Sequence, residues 1–124
     1  MHLAPDAGHV DVLCAGHPQP LLIRRGEVRP VGRFGPMLGA WTDARWNAER
    51  VALEPGDTLV AFSDGVTDTV GDDGRFGEER LLATLRGVSD AAASVAAIDA
   101  ALSAFQRGGQ ADDTAVLALD IPID

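Results

Sequence analysis

Two acidic motifs sit at the ends of apolar runs. Phe62-Ser63-Asp64-Gly65 closes the run Thr58 to Phe62, and Asp112-Asp113-Thr114-Ala115 opens the run that ends at Leu119. A carboxylate at the end of an interior strand is partly desolvated, which costs free energy unless cations or several hydrogen-bond donors meet it. The chain has no Lys, and neither motif has an adjacent Arg. A hard divalent cation such as Mg²⁺ or Mn²⁺ takes carboxylate and water oxygens and would satisfy both motifs at once. The same residues also suit a purely structural role, with Asp64 opening an Asp-Gly turn and Asp112 or Asp113 capping the last strand. A calcium loop over Asp68 to Glu79 is excluded, because Asp73 stands where the sharp turn needs Gly and Val70 where a ligand belongs.

Other reactive side chains have less around them. Cys14 is the single cysteine and lies within the apolar stretch Val10 to Ala15, which predicts an inert, buried thiol in a reducing compartment. His17, between Gly16 and Pro18, reads as a turn residue rather than a general acid, and His2 and His9 have no supporting pattern.

The elements that must position these residues follow from periodicity and turn chemistry. Val10 to Ala15, Pro20 to Arg24 and Glu27 to Val31 read as strands, the last two joined as a hairpin through Arg25-Gly26. Gly32, Gly35, Pro36 and Gly39 mark a loop, after which Trp46 to Leu53 is extended. The turn Glu54-Pro55-Gly56-Asp57 precedes Thr58 to Phe62, a short run apolar on both faces and therefore an interior strand. An acidic loop, Asp72-Asp73-Gly74, leads to a helix from near Phe76 to Gly87, with Leu81, Leu82 and Leu85 on one face. Ser89 is placed to cap a second helix whose core stripe is Val95, Ile98, Leu102 and Phe105, and Ala115 to Leu119 is a buried closing strand.

A length of 124 residues fits one domain, and 46% hydrophobic with 23% charged residues describes a folded chain with a packed core. All ten basic residues are Arg, against nineteen Asp plus Glu, for a net charge of −9. That balance excludes nucleic acid as a partner, since phosphate-backbone binding needs a cationic face. No basic-then-apolar leader opens the sequence and no apolar run approaches the roughly 20 residues of a membrane span, so the expected location is the cytoplasm, without membrane insertion.

Six stretches in order resemble the metal-dependent serine/threonine protein phosphatases (PPM type), in the bacterial branch of the sporulation stage II and sigma-factor regulatory phosphatases. They are Ala15-Gly16-His17-Pro18-Gln19-Pro20-Leu21-Leu22, Gly35-Pro36-Met37-Leu38-Gly39, Leu53-Glu54-Pro55-Gly56-Asp57, Ser63-Asp64-Gly65-Val66-Thr67-Asp68, Gly74-Arg75-Phe76-Gly77-Glu78-Glu79-Arg80-Leu81 and Asp112-Asp113-Thr114. Each is weak alone, and together they span nearly the whole chain.

The resemblance implies an α+β fold, part of an α-β-β-α sandwich with antiparallel sheets and two C-terminal-half helices. It also implies a site holding two Mn²⁺ or Mg²⁺ ions, where a metal-activated water attacks phosphoserine or phosphothreonine in a regulatory protein, an anti-anti-sigma factor. By motif match Asp64 and Asp112 are metal ligands, and Asp113 is a ligand to an additional ion or a supporting partner. Gly65 lets the backbone pass close to the site, and Asp68 either faces the site or caps a helix. Two family motifs are missing: a Gly-Asp pair followed by aromatics, which supplies the Asp bridging both metals, and Asp-Val-x-Gly-His-Gly. Residues 1–124 therefore correspond to the C-terminal half of such a domain, in which one metal is held weakly or not at all. An alternative is a non-catalytic module that binds a regulatory protein through the Gly32 to Trp46 loop or assembles with a separate N-terminal piece. The sheet edge left open by a half domain also invites a homodimer.

Overall fold

In the computed structural model, which describes residues 2–3, 8–32, 48–72, 74–106 and 114–123, the short apolar runs form strands and the runs spaced by three and four form helices. In chain order these are β1 (His2–Leu3), β2 (His9–Val12), β3 (Leu21–Arg24), β4 (Glu27–Pro30), β5 (Glu49–Ala52), β6 (Thr58–Phe62), α1 (Asp64–Thr67), β7 (Val70–Gly71), β8 (Gly74–Arg75), α2 (Gly77–Leu85), α3 (Ala91–Phe105) and β9 (Val116–Asp120). The strands make a three-stranded sheet β1-β2-β5, a four-stranded sheet β4-β3-β6-β9 and a small β7-β8 ribbon, with every pairing antiparallel. This is the expected α+β architecture.

Register decides which side chains face which layer, because successive residues of a strand point to opposite faces. Leu22 lies opposite Leu59, and both join Val10, Val12, Cys14, Val51 and Ile121 in a core between the two larger sheets. Leu21 and Ile23 point the other way with Val60, into a second core against Val66, Phe76, Leu81, Leu85 and Ile98. The order is therefore sheet, sheet, helices. Cys14 is buried and free, as expected, and burial pushes its thiol pKa up, which keeps it protonated and inert.

The β3-β4 hairpin turns at Arg25 and Gly26, both with positive φ (51° and 79°), the backbone that a two-residue hairpin requires. On α3, Ser94 and Ile98 take the buried face, with Leu102 and Phe105 packed beside them. Val95 was expected in this stripe but is 42% exposed, lying on the stripe's flank about 100° around the helix from the buried Ser94 and about 60° from Ile98. The helix begins one residue later than expected. Asp90, not Ser89, is the N-cap, and its carboxylate accepts from the Ala93 N–H at 2.7 Å.

The closing strand also departs from the expected buried run. β9 spans Val116–Asp120, pairs with β6 alone among the described residues, and leaves Leu117 56% exposed. An edge position leaves one flank uncovered, whereas an interior strand has neighbours on both. No described helix is long and apolar enough to cross a membrane.

Gly71 at the end of β7 touches the C-terminus of α3. A Cβ there would lie 2.6 Å from the Phe105 carbonyl oxygen and 2.7 Å from its ring. Gly71→Ala is expected to destabilise the fold by about 1 to 3 kcal/mol, the usual cost of overpacking. The readout is a lowered urea midpoint at unchanged slope. A wild-type midpoint would mean that the end of α3 yields freely.

Candidate functional site

The site lies where β6 ends. Ser63 follows the strand, and its N–H donates to the Ala115 carbonyl at 2.9 Å while its Oγ accepts from the Ala115 N–H at 3.0 Å. With Phe62 opposite Val116, this exchange brings the start of β9 to the same end of the sheet as Asp64. Asp112 and Asp113 lie outside the described residues.

Asp64 opens α1, a single turn, and not a simple Asp-Gly turn. Its carbonyl accepts from the Asp68 N–H at 2.9 Å, and the next carbonyl, of the buried Gly65, accepts from Thr69 Oγ1 at 2.8 Å. The Asp64 side chain was expected to be partly desolvated and is instead exposed, because Ser63 carries the chain beyond the strand before the helix begins. No described residue gives its carboxylate a hydrogen bond or an ion pair.

Asp64 lines a cleft of about 530 Å³ whose walls come from the β2-β3 connection, α1, β8 and the start of α2. His17, Gln19, Asp68, Arg75 and Glu78 also line it. Gln19 is committed elsewhere, donating to the Gly32 carbonyl at 2.6 Å. Asp68, one helical turn beyond Asp64, caps α1 and pairs with Arg75 at 3.0 Å. The described ionisable lining thus holds three carboxylates, Asp64, Asp68 and Glu78, against one Arg and His17.

Carboxylate oxygens without protein partners are the donors that hard divalent cations such as Mg²⁺ and Mn²⁺ take. Asp64 therefore fits a metal chemically, as does the excess of negative charge around it. Among the described residues no three His, Cys, Asp or Glu side chains converge, so a full set of ligands needs donors beyond them.

His17 sits in the bend at 15–17, as its Gly16 and Pro18 neighbours predict, and also lines the cleft. Arg75 and Glu78 lie in the Gly74 to Leu81 stretch, but nothing in the sequence marks them as site residues. Their approach to Asp64 depends on the β7-β8 ribbon turning back over α1, a tertiary event without a local pattern.

A family model described as stage II sporulation protein E matches residues 1–122. Protein IcfG of Synechocystis sp. is 30% identical over 80 residues, which is 63% of this chain and 13% of IcfG. The phosphatase domain of the cell-fate determinant SpoIIE from Bacillus subtilis superposes with a TM-score of 0.74 at 18% identity, covering 100% of this chain and 57% of that one. The SiaA-PP2C domain of Pseudomonas aeruginosa superposes with a TM-score of 0.67 at 22% identity, over 86% of this chain and 43% of that one. The two solved domains share the fold, and this chain spans less than two thirds of each of these three proteins. With the family match running over nearly every residue, the chain belongs to the stage II sporulation protein E family of PP2C-type phosphatase domains.

Proposed function

We propose that the chain is a portion of a metal-dependent protein serine/threonine phosphatase that acts in the bacterial cytoplasm on a phosphorylated regulatory protein, an anti-anti-sigma factor. The observation that carries the reading is the unpartnered carboxylate of Asp64 in an acid-lined cleft. In this reading Asp64 and Asp112 would hold Mn²⁺ or Mg²⁺, with Asp113 a ligand to an additional ion or a supporting partner, and the bound metal would supply an acidified water and neutralise charge on the phosphoryl oxygens. The chain's own part is positioning. The Ser63-Ala115 exchange fixes the end of β6 against β9, and α1 holds Asp64 at the mouth of the cleft.

Two carboxylates leave such an ion most of its waters and gain little affinity. Residues 1–124 alone are therefore expected to bind Mn²⁺ only at about millimolar concentration and to turn over p-nitrophenyl phosphate near background. Turnover of about 1 to 10 per second, ordinary for enzymes, would contradict the half-domain reading. Supplying a segment with the Gly-Asp and Asp-Val-x-Gly-His-Gly motifs, fused or as a separate polypeptide, should yield hydrolysis of a phosphoserine peptide that a chelator abolishes. Failure in both formats would overturn the phosphatase reading.

One observation favours assembly with another polypeptide. An apolar slot of about 360 Å³, lined in part by Val12, Leu13, Cys14, Ala61 and Leu117, opens beside the β9 edge. A complementary N-terminal segment would fill it and pair with β9, and a second copy is the competing occupant. Gel filtration separates them, since a strict monomer at high concentration excludes the second copy.

A further inference from the structure

We propose that Arg75 is the residue that grips the substrate's phosphoryl group in the Asp64 cleft. The inference rests on the phosphatase reading and assigns one of that site's tasks to a side chain that lies in the Gly74 to Leu81 stretch, where the resemblance gives it no role. Among the described residues Arg75 is the one Arg lining the cleft, and the other charged groups around it, Asp64, Asp68 and Glu78, would repel a phosphate dianion. A guanidinium presents paired N–H donors whose spacing matches two phosphate oxygens, which makes Arg suited to this task.

Arg75 is built to hold its place while its head stays available. Its backbone pairs with Val70 in the β7-β8 ribbon, and its carbonyl accepts from Arg80 Nη1 at 3.0 Å. The next residue, Phe76, is buried, and its ring meets Phe105 edge-on at 5.4 Å between centroids. The base of the side chain is therefore fixed, whereas the side chain is 70% exposed and bonds Asp68 at 3.0 Å. An exposed pair of this kind adds little to stability, so the fold does not depend on it. Asp68 instead holds the guanidinium in the cleft that Asp64 also lines, until a phosphoryl group replaces the carboxylate as its partner.

The test compares binding of a phosphoserine peptide and its serine counterpart to the 124-residue chain in Mg²⁺, by amide chemical-shift titration. Wild type should prefer the phosphopeptide, Arg75→Ala and Arg75→Gln should each lose tenfold or more of that preference, and Arg75→Lys should keep part of it. The amide spectra confirm that each variant is folded, and the second neutral variant guards against a local collapse in the first. An undiminished preference in the folded Ala and Gln variants, or no preference in wild type, would overturn the assignment. The phosphatase reading is judged separately, by whether Mg²⁺ alone shifts the Asp64 and Gly65 amides, so the two can fail independently.

Discussion

Arg24→Ala is expected to cost the fold about 3 to 5 kcal/mol, a large part of the roughly 5 to 15 kcal/mol that holds a domain together. The reason is Asp57, which ends the Glu54-Asp57 turn and is only 1% exposed. Its two oxygens accept from Arg24 Nε at 3.0 Å and Nη2 at 2.7 Å, and one also accepts from the Glu54 N–H at 2.7 Å. Arg24 in turn donates to the Ala52 carbonyl at 3.0 Å, so one ion pair ties β3 to the end of β5 and to the turn before β6. Removing the guanidinium strands a buried carboxylate, which is far costlier than losing an exposed pair. Arg50→Ala serves as the comparison, because its bond to Asp11 at 2.9 Å lies on an exposed face, and its loss should be at most about 1 kcal/mol.

The same pair sets a pH dependence. Burial pushes the Asp57 carboxyl up, but the Arg24 hydrogen bond, the Glu54 N–H and the charges of Arg24 and Arg25 outweigh it and leave the pKa below the ordinary value. A depressed carboxyl pKa contributes stability that is fully present above the unfolded value, near 3.9, and is lost as pH falls through the folded one. Urea midpoints should therefore be flat near neutrality and fall below about pH 4, with a shallower acid-side fall in Asp57→Asn. Equal acid slopes in both proteins would show that other carboxylates carry the effect.

Asp64→Asn should lower phosphoserine hydrolysis by about 100-fold or more when the complementary half is supplied. The substitution keeps the shape of the side chain and removes one negative charge from the metal's surroundings. Lewis-acid stabilisation is worth several kcal/mol, and each 1.4 kcal/mol is tenfold in rate. Because Asp64 is exposed and bonded to no described side chain, the same change should leave the unfolding free energy from urea titration within about 0.5 kcal/mol of wild type. Full activity in the variant would remove Asp64 from the mechanism.

The layers of this fold were legible because apolar spacing dictates them. Thr58 to Phe62 is apolar on both faces and separates the two cores, and Leu81 and Leu85 seat α2 as their spacing predicts. Exposure at the margins was less legible. Leu117 looks like a core residue in sequence, and only the edge position of β9 exposes it. The electrostatics were partly inverted. Asp64, expected to be desolvated, is exposed, whereas Asp57, read as a plain turn residue, is the buried carboxylate. Its partner Arg24 is 33 residues away, a separation at which no local pattern operates. Asp64 and Gly65 stand in one of the quoted stretches and Arg75 in another, but only the tertiary structure shows that Asp64 and Arg75 line the same cleft. The Gly32 to Trp46 loop falls largely outside the described residues.

The most direct test of a metal site at Asp64 is paramagnetic broadening of amide resonances by Mn²⁺ in the 124-residue chain. The expected result is broadening centred on Asp64, Gly65 and Thr114, at metal concentrations near millimolar, and its disappearance in Asp64→Asn. Broadening centred elsewhere, or equally strong in the Asn variant, would contradict a metal-dependent site at the end of β6.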